Sequence, residues 1–444
     1  MLKMKTRIAL ACALWAPIAI AQTKAADSIV VKGARLLDVR RGSYIENAGV
    51  WIEGERIKEV GRFNDVVARA PKEAKIIDLG RATLLPGLID CHTHIMARFE
   101  EGPNGYLLGL ATKSHAFRAL EGAYNARITL QAGYTTIRDV ENEGSDYADV
   151  ALRDAIKEGL AEGPRMLVAT RAIAAVGQYN PFGVSPDLTN FPTGAQMVSG
   201  VEETRRAVRE QIGHGADLIK IYADWNHPTL TVEEIQVAVE EAHKQGLKVA
   251  AHANTPEGIK NAVTAGVDSI EHGHEINRED LELMKAKATF LVPTVGGAYA
   301  SFERHKNDVV APEIKQRRDK ALADIQNEIH MAKSLGVKMA AGFDASGPAG
   351  QGKNANELLA MTKLALSPSE AIQASTVNAA ELLSWEDKVG ALEPALYADV
   401  IAVDGDPLTD ITELQRVKFV MKGGTVVKDE ISKNQETATG SSPR

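Results

Sequence analysis

Cysteine is almost absent from this sequence. The 444 residues include two cysteines, Cys12 and Cys91, and Cys12 lies in an N-terminal segment that we predict is removed. The mature chain would then hold Cys91 alone, which excludes an internal disulfide. A protein without disulfides must be stabilised by its hydrophobic core, and a chain of this length can bury a large one.

Basic charge, aromatic residues and long apolar runs are also scarce. Aromatic residues make up 5% of the chain, and the formal net charge is -8. Proteins that bind nucleic acid or anionic membranes need a basic patch, so we expect a small-molecule or peptide partner instead. No apolar run reaches the roughly 20 residues of a transmembrane helix. The composition leaves open whether identical chains associate into a homo-oligomer.

The N-terminus has the features of an export signal. Three basic residues within positions 3–7 precede an apolar segment at 8–20, and residues 19–21 supply the small residues around a signal-peptidase site. We predict cleavage after Ala21 and a mature protein that is periplasmic or secreted. An uncleaved membrane anchor is less favoured, because the segment contains Pro17 and ends in that cleavage pattern.

From residue 85 onward, short apolar segments alternate with amphipathic segments of helical periodicity. The pattern predicts strands at 85–92, 134–140, 165–170, 217–222, 248–252, 268–272, 289–294 and 338–344. Helices are predicted between them, for example at 231–244 and 313–335. Eight strand–helix units favour an α/β fold of the (β/α)8 TIM-type barrel class. An open doubly wound sheet is less favoured, because no glycine-rich phosphate-binding turn follows the first strand.

The segments on either side of this barrel have a different character. Runs of β-branched residues, broken by glycines and by Asp-Gly or Gly-Gly turns, occur near both ends, and we predict that they form one small β-sandwich. The predicted organisation is a signal peptide at 1–21, the first part of the sandwich at 27–84, the barrel at 85–385, the second part of the sandwich at 386–429 and a disordered polar tail at 430–444.

Residues 90–94, with the sequence Asp-Cys-His-Thr-His, end the first predicted barrel strand. His92 and His94 are two residues apart, so on a strand their side chains point to the same face and both imidazoles can reach one metal ion. Taken alone, the motif is equally compatible with two half-exposed histidines without a function.

Further candidate ligands occur where other predicted strands end. In a (β/α)8 barrel the C-terminal ends of the strands share one rim, so residues that are distant in the sequence converge there. The candidates are Lys220, His252, His272 and Asp344. Asp344 ends an apolar segment in which a buried carboxylate would be costly. Together with the two histidines of the first strand, these side chains are hard to explain as core packing.

Neighbouring polar residues have weaker claims to a role. Tyr222 shares the facing of Lys220, and His227 lies in the following loop on the predicted catalytic side. Either residue could hold a substrate carboxylate, and ordinary loop packing is equally compatible. Glu271 precedes His272 but points the opposite way on a strand, so we assign it no role.

The motifs together resemble those of the amidohydrolase superfamily, and more closely its exported prolidase-like and imidazolonepropionase-like hydrolases. The resemblance rests on P-G-L-I-D-C-H-T-H, G-Y-T-T-I-R-D-V, G-A-D-L-I-K-I-Y, S-I-E-H-G, A-A-G-F-D and A-S-T-V-N-A-A-E-L-L, and it covers almost the whole mature chain. It implies two divalent metal ions, with Zn²⁺ expected. His92 and His94 would bind the more buried ion, and His252 and His272 the more exposed one.

The resemblance also implies roles for Lys220 and Asp344. Lys220 would bridge both metals as a carboxylated lysine, because an ammonium group would be repelled by the cations, and Asp344 would ligate the first metal. In such a site a hydroxide that bridges the metals attacks the amide carbonyl. Asp344 is our candidate catalytic residue, since it can accept the proton of the attacking water and pass it to the leaving amine.

The predicted function is that of an exported, metal-dependent hydrolase of carbon–nitrogen bonds, which cleaves a dipeptide, an N-acyl amino acid or a similar amide. The alternative on the same scaffold is a cyclic-amide hydrolase or a deaminase. Deaminases of this superfamily generally have a glutamate three residues after the fifth-strand histidine, and this chain has Thr255 there. A non-catalytic scaffold is the least favoured alternative, because every candidate ligand is retained. The loop at 222–227 lacks the glycines common in dipeptidase-like relatives, which leaves the substrate open.

Overall fold

The structure is a computed structural model that describes residues 28–432, except for 101, 103, 180–183, 186, 189–190, 226, 346 and 348. The predicted signal peptide and residues 433–444 of the predicted tail lie outside the described residues. Within the described part of the chain, no helix is both long enough and apolar enough to cross a membrane.

The described chain contains strands, α-helices and one 3₁₀ helix. The strands are β1 Ser28–Asp38, β2 Ser43–Glu53, β3 Arg56–Arg62, β4 Lys75–Asp78, β5 Thr83–Pro86, β6 Leu88–Thr93, β7 Tyr134–Asp139, β8 Arg165–Val168, β9 Ala172–Ala175, β10 Ala195–Val198, β11 Leu218–Tyr222, β12 Lys248–Ala253, β13 Ser269–His272, β14 Phe290–Val292, β15 Val400–Val403, β16 Phe419–Lys422 and β17 Thr425–Asp429. The helices are α1 Phe63–Arg69, α2 Gly105–Thr112, α3 His115–Gln131, α4 Ala148–Lys157, α5 Val201–Gly213, α6 Val232–His243, α7 Pro256–Ala265, α8 Arg278–Lys287, α9 Val295–His305, α10 Pro312–Leu335, α11 Ala355–Leu364, α12 Pro368–Ala374 and α13 Val377–Leu382, with a 3₁₀ helix at Ile411–Arg416.

The two ends of the chain build one mixed sheet. Its strand order is β17-β16-β15-β5-β1-β2-β3, and β4 pairs with β1. The N-terminal and C-terminal segments meet where β15 runs antiparallel to β5, with Ile401 opposite Leu85. A separate apolar core that includes Val50, Leu84 and Phe419 packs on this sheet. The strands belong to a single hydrogen-bonded sheet, so the predicted sandwich of two sheets stays a prediction.

The middle of the chain is an α/β region of parallel strands. Strands β6, β7 and β8 form one parallel sheet, and a second has the order β10-β9-β11-β12-β13-β14. The backbone N–H of Asp217 donates to the carbonyl of Val168 at 2.8 Å, which connects the β8 segment to the start of β11. Two short strands, β9 and β10, were not predicted; β9 follows β8 closely and pairs with β10 and β11.

The eighth predicted strand, at 338–344, is not a regular strand. It is reduced to a single parallel bridge between Met339 and Leu291, although the N–H of Cys91 still donates to the carbonyl of Ala341 at 2.8 Å. Gly342 passes so close to the first strand that an added Cβ would lie 2.6 Å from Cβ of His92. Asp344 then adopts a left-handed conformation with φ of +54°, which ends the extended backbone.

Strand alternation separates the core from the site. Along β11, Ile219 and Ile221 join the large apolar cluster between the strands and the surrounding helices. Lys220 and Tyr222 have the opposite facing and line a cavity. The helix α6 follows its sequence signals. It begins with a capping box between Thr231 and Glu234, and both of its ends lie within one residue of the predicted bounds.

Candidate metal centre and substrate cavity

The C-terminal ends of the parallel strands surround a cavity of about 380 Å³. All six predicted metal ligands line it, and so does Tyr222, whereas His227 is exposed and is not among the lining residues. A substrate contact by His227 stays a prediction. The lining residues are His92, His94, Ala97, Phe99, Tyr106, Leu110, Glu143, Tyr179, Pro192, Thr193, Lys220, Tyr222, Trp225, His252, His272, Asp344 and Ala345.

The two histidines of the first barrel strand converge on one point. Their Nε2 atoms lie 3.2 Å apart. Oδ1 of Asp344 lies 3.9 Å from Nε2 of His92 and 3.5 Å from Nε2 of His94. Ligand atoms of these three residues all lie within 4.8 Å of one another, a spacing that could hold a metal ion.

A carboxylate fixes the far side of each of these imidazoles. Nδ1 of His92 lies 2.7 Å from Oε2 of Glu271, and Nδ1 of His94 lies 2.6 Å from Oε1 of Glu143. A carboxylate can only accept, so Nδ1 of His92 carries the hydrogen and donates it to Glu271, whereas Nδ1 of His94 faces Glu143 as an ion-pair partner. The Nε2 atoms of the two rings are thereby directed at each other, and a carboxylate behind the imidazole is the arrangement found for metal-binding histidines.

Glu271 was assigned no role from the sequence, yet it is completely buried and central to the site. Its other oxygen accepts from Nη2 of Arg138 at 2.7 Å, and Ser269 also donates to it. Arg138 additionally donates to the carbonyl of Cys91 at 2.5 Å, next to His92. The side chain of Glu271 points to the opposite side of the strand from His272, as expected. In this fold that side faces His92, so Glu271 contacts a candidate ligand and not only core residues.

The other two histidines are held by different partners. Nδ1 of His272 lies 2.7 Å from the hydroxyl of Thr294, and Nε2 of His252 accepts from the amide of Asn254 at 3.1 Å. One nitrogen of each ring remains available to a ligand, Nε2 of His272 and Nδ1 of His252. The ring centroids of these two histidines lie 4.6 Å apart, and those of His272 and His92 lie 4.9 Å apart, so the four imidazoles are contiguous.

Four residues of the site have left-handed backbones. The φ angles are +55° at Glu143, +69° at His272, +49° at Thr294 and +54° at Asp344. Such conformations are unfavourable for residues other than glycine, costing of order 1–3 kcal/mol each, and they persist at functional sites where the surrounding structure imposes them. Glu143, His272 and Asp344 line the cavity, and Thr294 contacts His272.

Lys220 is buried among the histidines. Its side chain is 1% exposed, and no carboxylate within the described part of the chain lies within 4 Å of its Nζ atom. Burial lowers the pKa of this amine below its ordinary value of 10.5, although nearby Glu271 and Asp344 oppose the shift. A neutral amine is the form that reacts with carbon dioxide, so the environment fits a carboxylated lysine.

Burial and neighbouring charges shift the histidine pKa values in two directions. Burial, together with the positive charge of Lys220, holds the pKa of His92 and that of His252 well below 6.5. Burial also lowers the pKa of His94, but the carboxylate of Glu143 outweighs it and raises the value to about 9. The surroundings of His94 therefore stabilise a positive charge beside the two neighbouring Nε2 atoms.

The donor set fits a metal ion. Two Nε2 atoms 3.2 Å apart, each on a ring whose Nδ1 faces a carboxylate, can lie so close only with a proton or a metal ion between them. Asp344, with its side chain 35% exposed to the cavity, supplies an oxygen beside both rings. Imidazole nitrogen with carboxylate oxygen is a donor set that suits Zn²⁺ and other divalent transition metals.

A layer of acids and tyrosines beside the candidate metal centre was not predicted from the sequence. Glu141 and Glu143 lie in the loop after β7. Their carboxylates accept hydrogen bonds from the hydroxyl groups of Tyr106, Tyr179 and Tyr222. Tyr222, predicted as a possible carboxylate contact, directs its hydroxyl at Oε2 of Glu141, 2.5 Å away. The acidic motif Glu-Asn-Glu at 141–143, directly after a buried strand, was the signal that could have revealed these residues.

Comparisons with known proteins agree with this geometry. Residues 83–427 match the Amidohydrolase family. Ochratoxinase from Aspergillus niger is 32% identical over 93% of this chain and 89% of its own length, and imidazolonepropionase from Thermoplasma volcanium is 24% identical over 87% and 92%. A crystal structure of a Xaa-Pro dipeptidase with methionine bound in its active site superimposes with a TM-score of 0.78 at 32% identity, covering 90% of this chain and all of that one.

The match to the family extends over most of the chain and includes every strand end that carries a candidate ligand. The resemblance predicted from the motifs is thus confirmed, together with the TIM-type α/β fold class of the family. The chain belongs to the amidohydrolase family and is a hydrolase that acts on carbon–nitrogen bonds.

Proposed function

We propose that the protein is a binuclear, metal-dependent amide hydrolase that cleaves a dipeptide or an N-acyl amino acid. The observation that carries this proposal is the convergence of His92, His94 and Asp344 on one point, next to His252 and His272. The relatives support the substrate class, since one acts on ochratoxin by its name and another is a Xaa-Pro dipeptidase.

The proposal assigns each ligand to one of two divalent ions, with Zn²⁺ expected. His92, His94 and Asp344 would hold the first ion, His252 and His272 the second, and carboxylated Lys220 would bridge them. When bound, such ions supply a water-derived nucleophile at neutral pH and polarise the scissile carbonyl. The burial of Lys220 and the available nitrogen atoms of the four imidazoles support this assignment.

Asp344 is the proposed proton carrier. Its carboxylate is the partly exposed acid at the centre, whereas Glu143 and Glu271 are buried and engaged by His94 and His92. Asp344 would accept the proton of the attacking water and deliver it to the leaving amine, a step typically worth about 10²–10⁴-fold in rate. The buried glutamates would keep the imidazoles oriented during this transfer.

The surroundings of Thr255 favour amide hydrolysis over deamination. Thr255 occupies the position of the deaminase glutamate, and its hydroxyl both accepts from the N–H of Gly258 and donates to Asp224 at 2.7 Å. It caps helix α7 and cannot shuttle protons at the metal. A cyclic amide remains the second candidate substrate, because imidazolonepropionase is among the relatives.

We also infer three features that accompany this function. The parallel strands close into the predicted eight-stranded barrel, which is supported by the backbone bonds from Asp217 to Val168 and from Cys91 to Ala341. The flanking sheet curls into the predicted sandwich, supported by its separate apolar core. The chain is exported after cleavage behind Ala21, supported by the sequence of its N-terminus.

The decisive experiment is a substrate screen of the mature protein, loaded with Zn²⁺. A library of dipeptides, N-acyl amino acids and cyclic amides is incubated with the enzyme, and released amines are quantified. We expect turnover of members of the first two groups. A protein that binds metal but releases no amine from any linear amide would contradict the proposal, and turnover of cyclic amides alone would favour the second candidate.

A further inference from the structure

Four aromatic side chains form a continuous wall in the cavity, which we call the aromatic wall: Tyr106, Tyr179, Tyr222 and Trp225. The rings of Tyr179 and Tyr222 have centroids 5.1 Å apart, and Trp225 meets Tyr222 edge-on at 5.1 Å. Trp225 also stacks on the candidate metal ligand His252, with 4.7 Å between ring centroids. A group bound on this wall would therefore lie beside the metal centre.

The tyrosine hydroxyls of the wall are all directed at two buried glutamates. Tyr179 and Tyr222 donate to the two oxygens of Glu141, each at 2.5 Å, and Tyr106 donates to Glu143 at 2.6 Å. Glu141 is fully buried and does not itself line the cavity. Since the hydroxyls are engaged, the wall offers ring surfaces rather than hydrogen-bonding groups to a ligand.

The carboxylate of Glu141 has no direct ion-pair partner among the described residues, but burial and the neighbouring Glu143 raise its pKa to about 7, so it carries a partial charge at neutral pH. Glu143 is paired with His94, but within the described chain no Lys, Arg or His nitrogen lies within 4 Å of the carboxylate of Glu141. Among the described lining residues of the cavity there is no arginine. The amine of Lys220 lies 5.7 Å from the ring centroid of Tyr222, and carboxylation of this lysine would remove any positive charge that it carries there.

We propose that the aromatic wall binds a positively charged substrate group, an ammonium or guanidinium on a residue next to the scissile amide. This inference rests on the proposed function and names its substrate class. A cation is attracted to the faces of aromatic rings, more strongly where water is excluded. Donation of the phenol hydrogens to Glu141 increases the electron density of these rings, and its charge adds attraction in a medium of low dielectric constant. Glu141 acts as a positioning residue, through the tyrosines.

The test measures selectivity with acetylated dipeptides, which carry no N-terminal charge. Each of the two positions holds in turn lysine, its neutral analogue norleucine, or glutamate, and the metal-loaded enzyme's kcat/KM is determined for each peptide. We expect lysine to exceed norleucine by about tenfold or more at one position, and glutamate to be the poorest residue there. The ratio of two kcat/KM values does not depend on the fraction of active enzyme.

Two variants probe the wall itself. Glu141→Gln keeps the shape of the side chain but removes its charge, and Trp225→Leu removes a ring face, so each should reduce the ratio of lysine to norleucine at least threefold. The matched control, Glu240→Gln, removes one charge on the exposed face of α6 and should leave the ratio and the activity unchanged.

Wild-type enzyme that hydrolyses norleucine peptides as well as lysine peptides at both positions would overturn this inference alone. A lysine preference that survives both Glu141→Gln and Trp225→Leu would overturn the assignment to the wall. Absence of hydrolysis of every linear amide would contradict the proposed function, and this inference with it.

Discussion

The Nε2 atoms of His92 and His94 lie 3.2 Å apart, while the Nδ1 atoms of the same rings meet carboxylates on opposite sides. Glu271 comes from strand β13, and Glu143 comes from the loop after β7. The two imidazoles are therefore held in one orientation before any ligand arrives. Such preorganisation lowers the cost of binding a metal ion.

The first prediction concerns metal content. We expect the mature protein, expressed with added Zn²⁺, to carry close to two divalent ions per chain, and a chelator to abolish amide hydrolysis. Elemental analysis beside a rate assay measures both. His94→Ala should lose metal, whereas His305→Ala, a partly exposed histidine at the end of α9, should not. A metal-free wild-type protein with full activity would contradict the prediction.

The second prediction concerns Lys220. If a carbamate on this residue bridges two metals, Lys220→Ala should lose both metal and activity, and short carboxylic acids should restore part of each by supplying the missing oxygens. Lys320→Ala, which removes an exposed lysine of α10, is the control. Full metal content and full turnover in Lys220→Ala would exclude the bridging role.

The third prediction separates proton transfer from substrate binding at Asp344. Asparagine keeps the shape and one oxygen but cannot accept a proton, so we expect kcat to fall by about 10²-fold or more, with a smaller change in KM. Metal content is measured on the same samples, because Asp344 is also a proposed ligand. Near-normal kcat in a fully metallated Asp344→Asn protein would show that another group carries the proton, and His274 would be tested next.

The fourth prediction concerns Glu271, which the sequence analysis overlooked. Glu271→Gln leaves the guanidinium of Arg138 buried without a counter-charge and weakens the hold on His92. We expect a loss of about 3–5 kcal/mol in the free energy of unfolding, and metal binding weaker by about 10–100-fold. Urea titration of the metal-free protein and competition with a chromophoric chelator measure the two effects. Unchanged metal affinity would reduce Glu271 to a purely structural residue.

The fifth prediction concerns pH and Glu328 on α10. Burial raises the pKa of this carboxyl from 4.5 to about 7 in the folded protein. Between these values the folded state holds a proton that the unfolded state has released, so stability should fall as pH rises through this window. In the Glu328→Gln variant, the free energy of unfolding should fall by about 1–2 kcal/mol less across this window than in the wild type, after allowance for solvent screening. Urea unfolding at several pH values measures this difference, and parallel curves of stability against pH for wild type and variant would contradict the prediction.

Local sequence pattern predicted much of the fold and the candidate ligands. Alternation of apolar residues indicated the parallel strands, and the two-residue spacing of His92 and His94 gave them a common facing that the structure retains. The facing of Lys220 and Tyr222 followed from the same period. These features depend only on neighbouring residues along one strand, so a single sequence contains them.

The tertiary structure decided which side chains meet across the fold. Glu271 reaches His92 although 179 positions separate them, and Glu143 reaches His94 from a loop whose path no local pattern specifies. The predicted eighth strand is a single bridge in which Gly342 lies close to His92, and His227 is exposed and does not line the cavity. The sequence by itself determined the candidate ligands and the facing of the strands that formed, because these are local properties. Sheet register, close approach and loop path are set by the whole packed chain, and they alone determined the partners of those ligands.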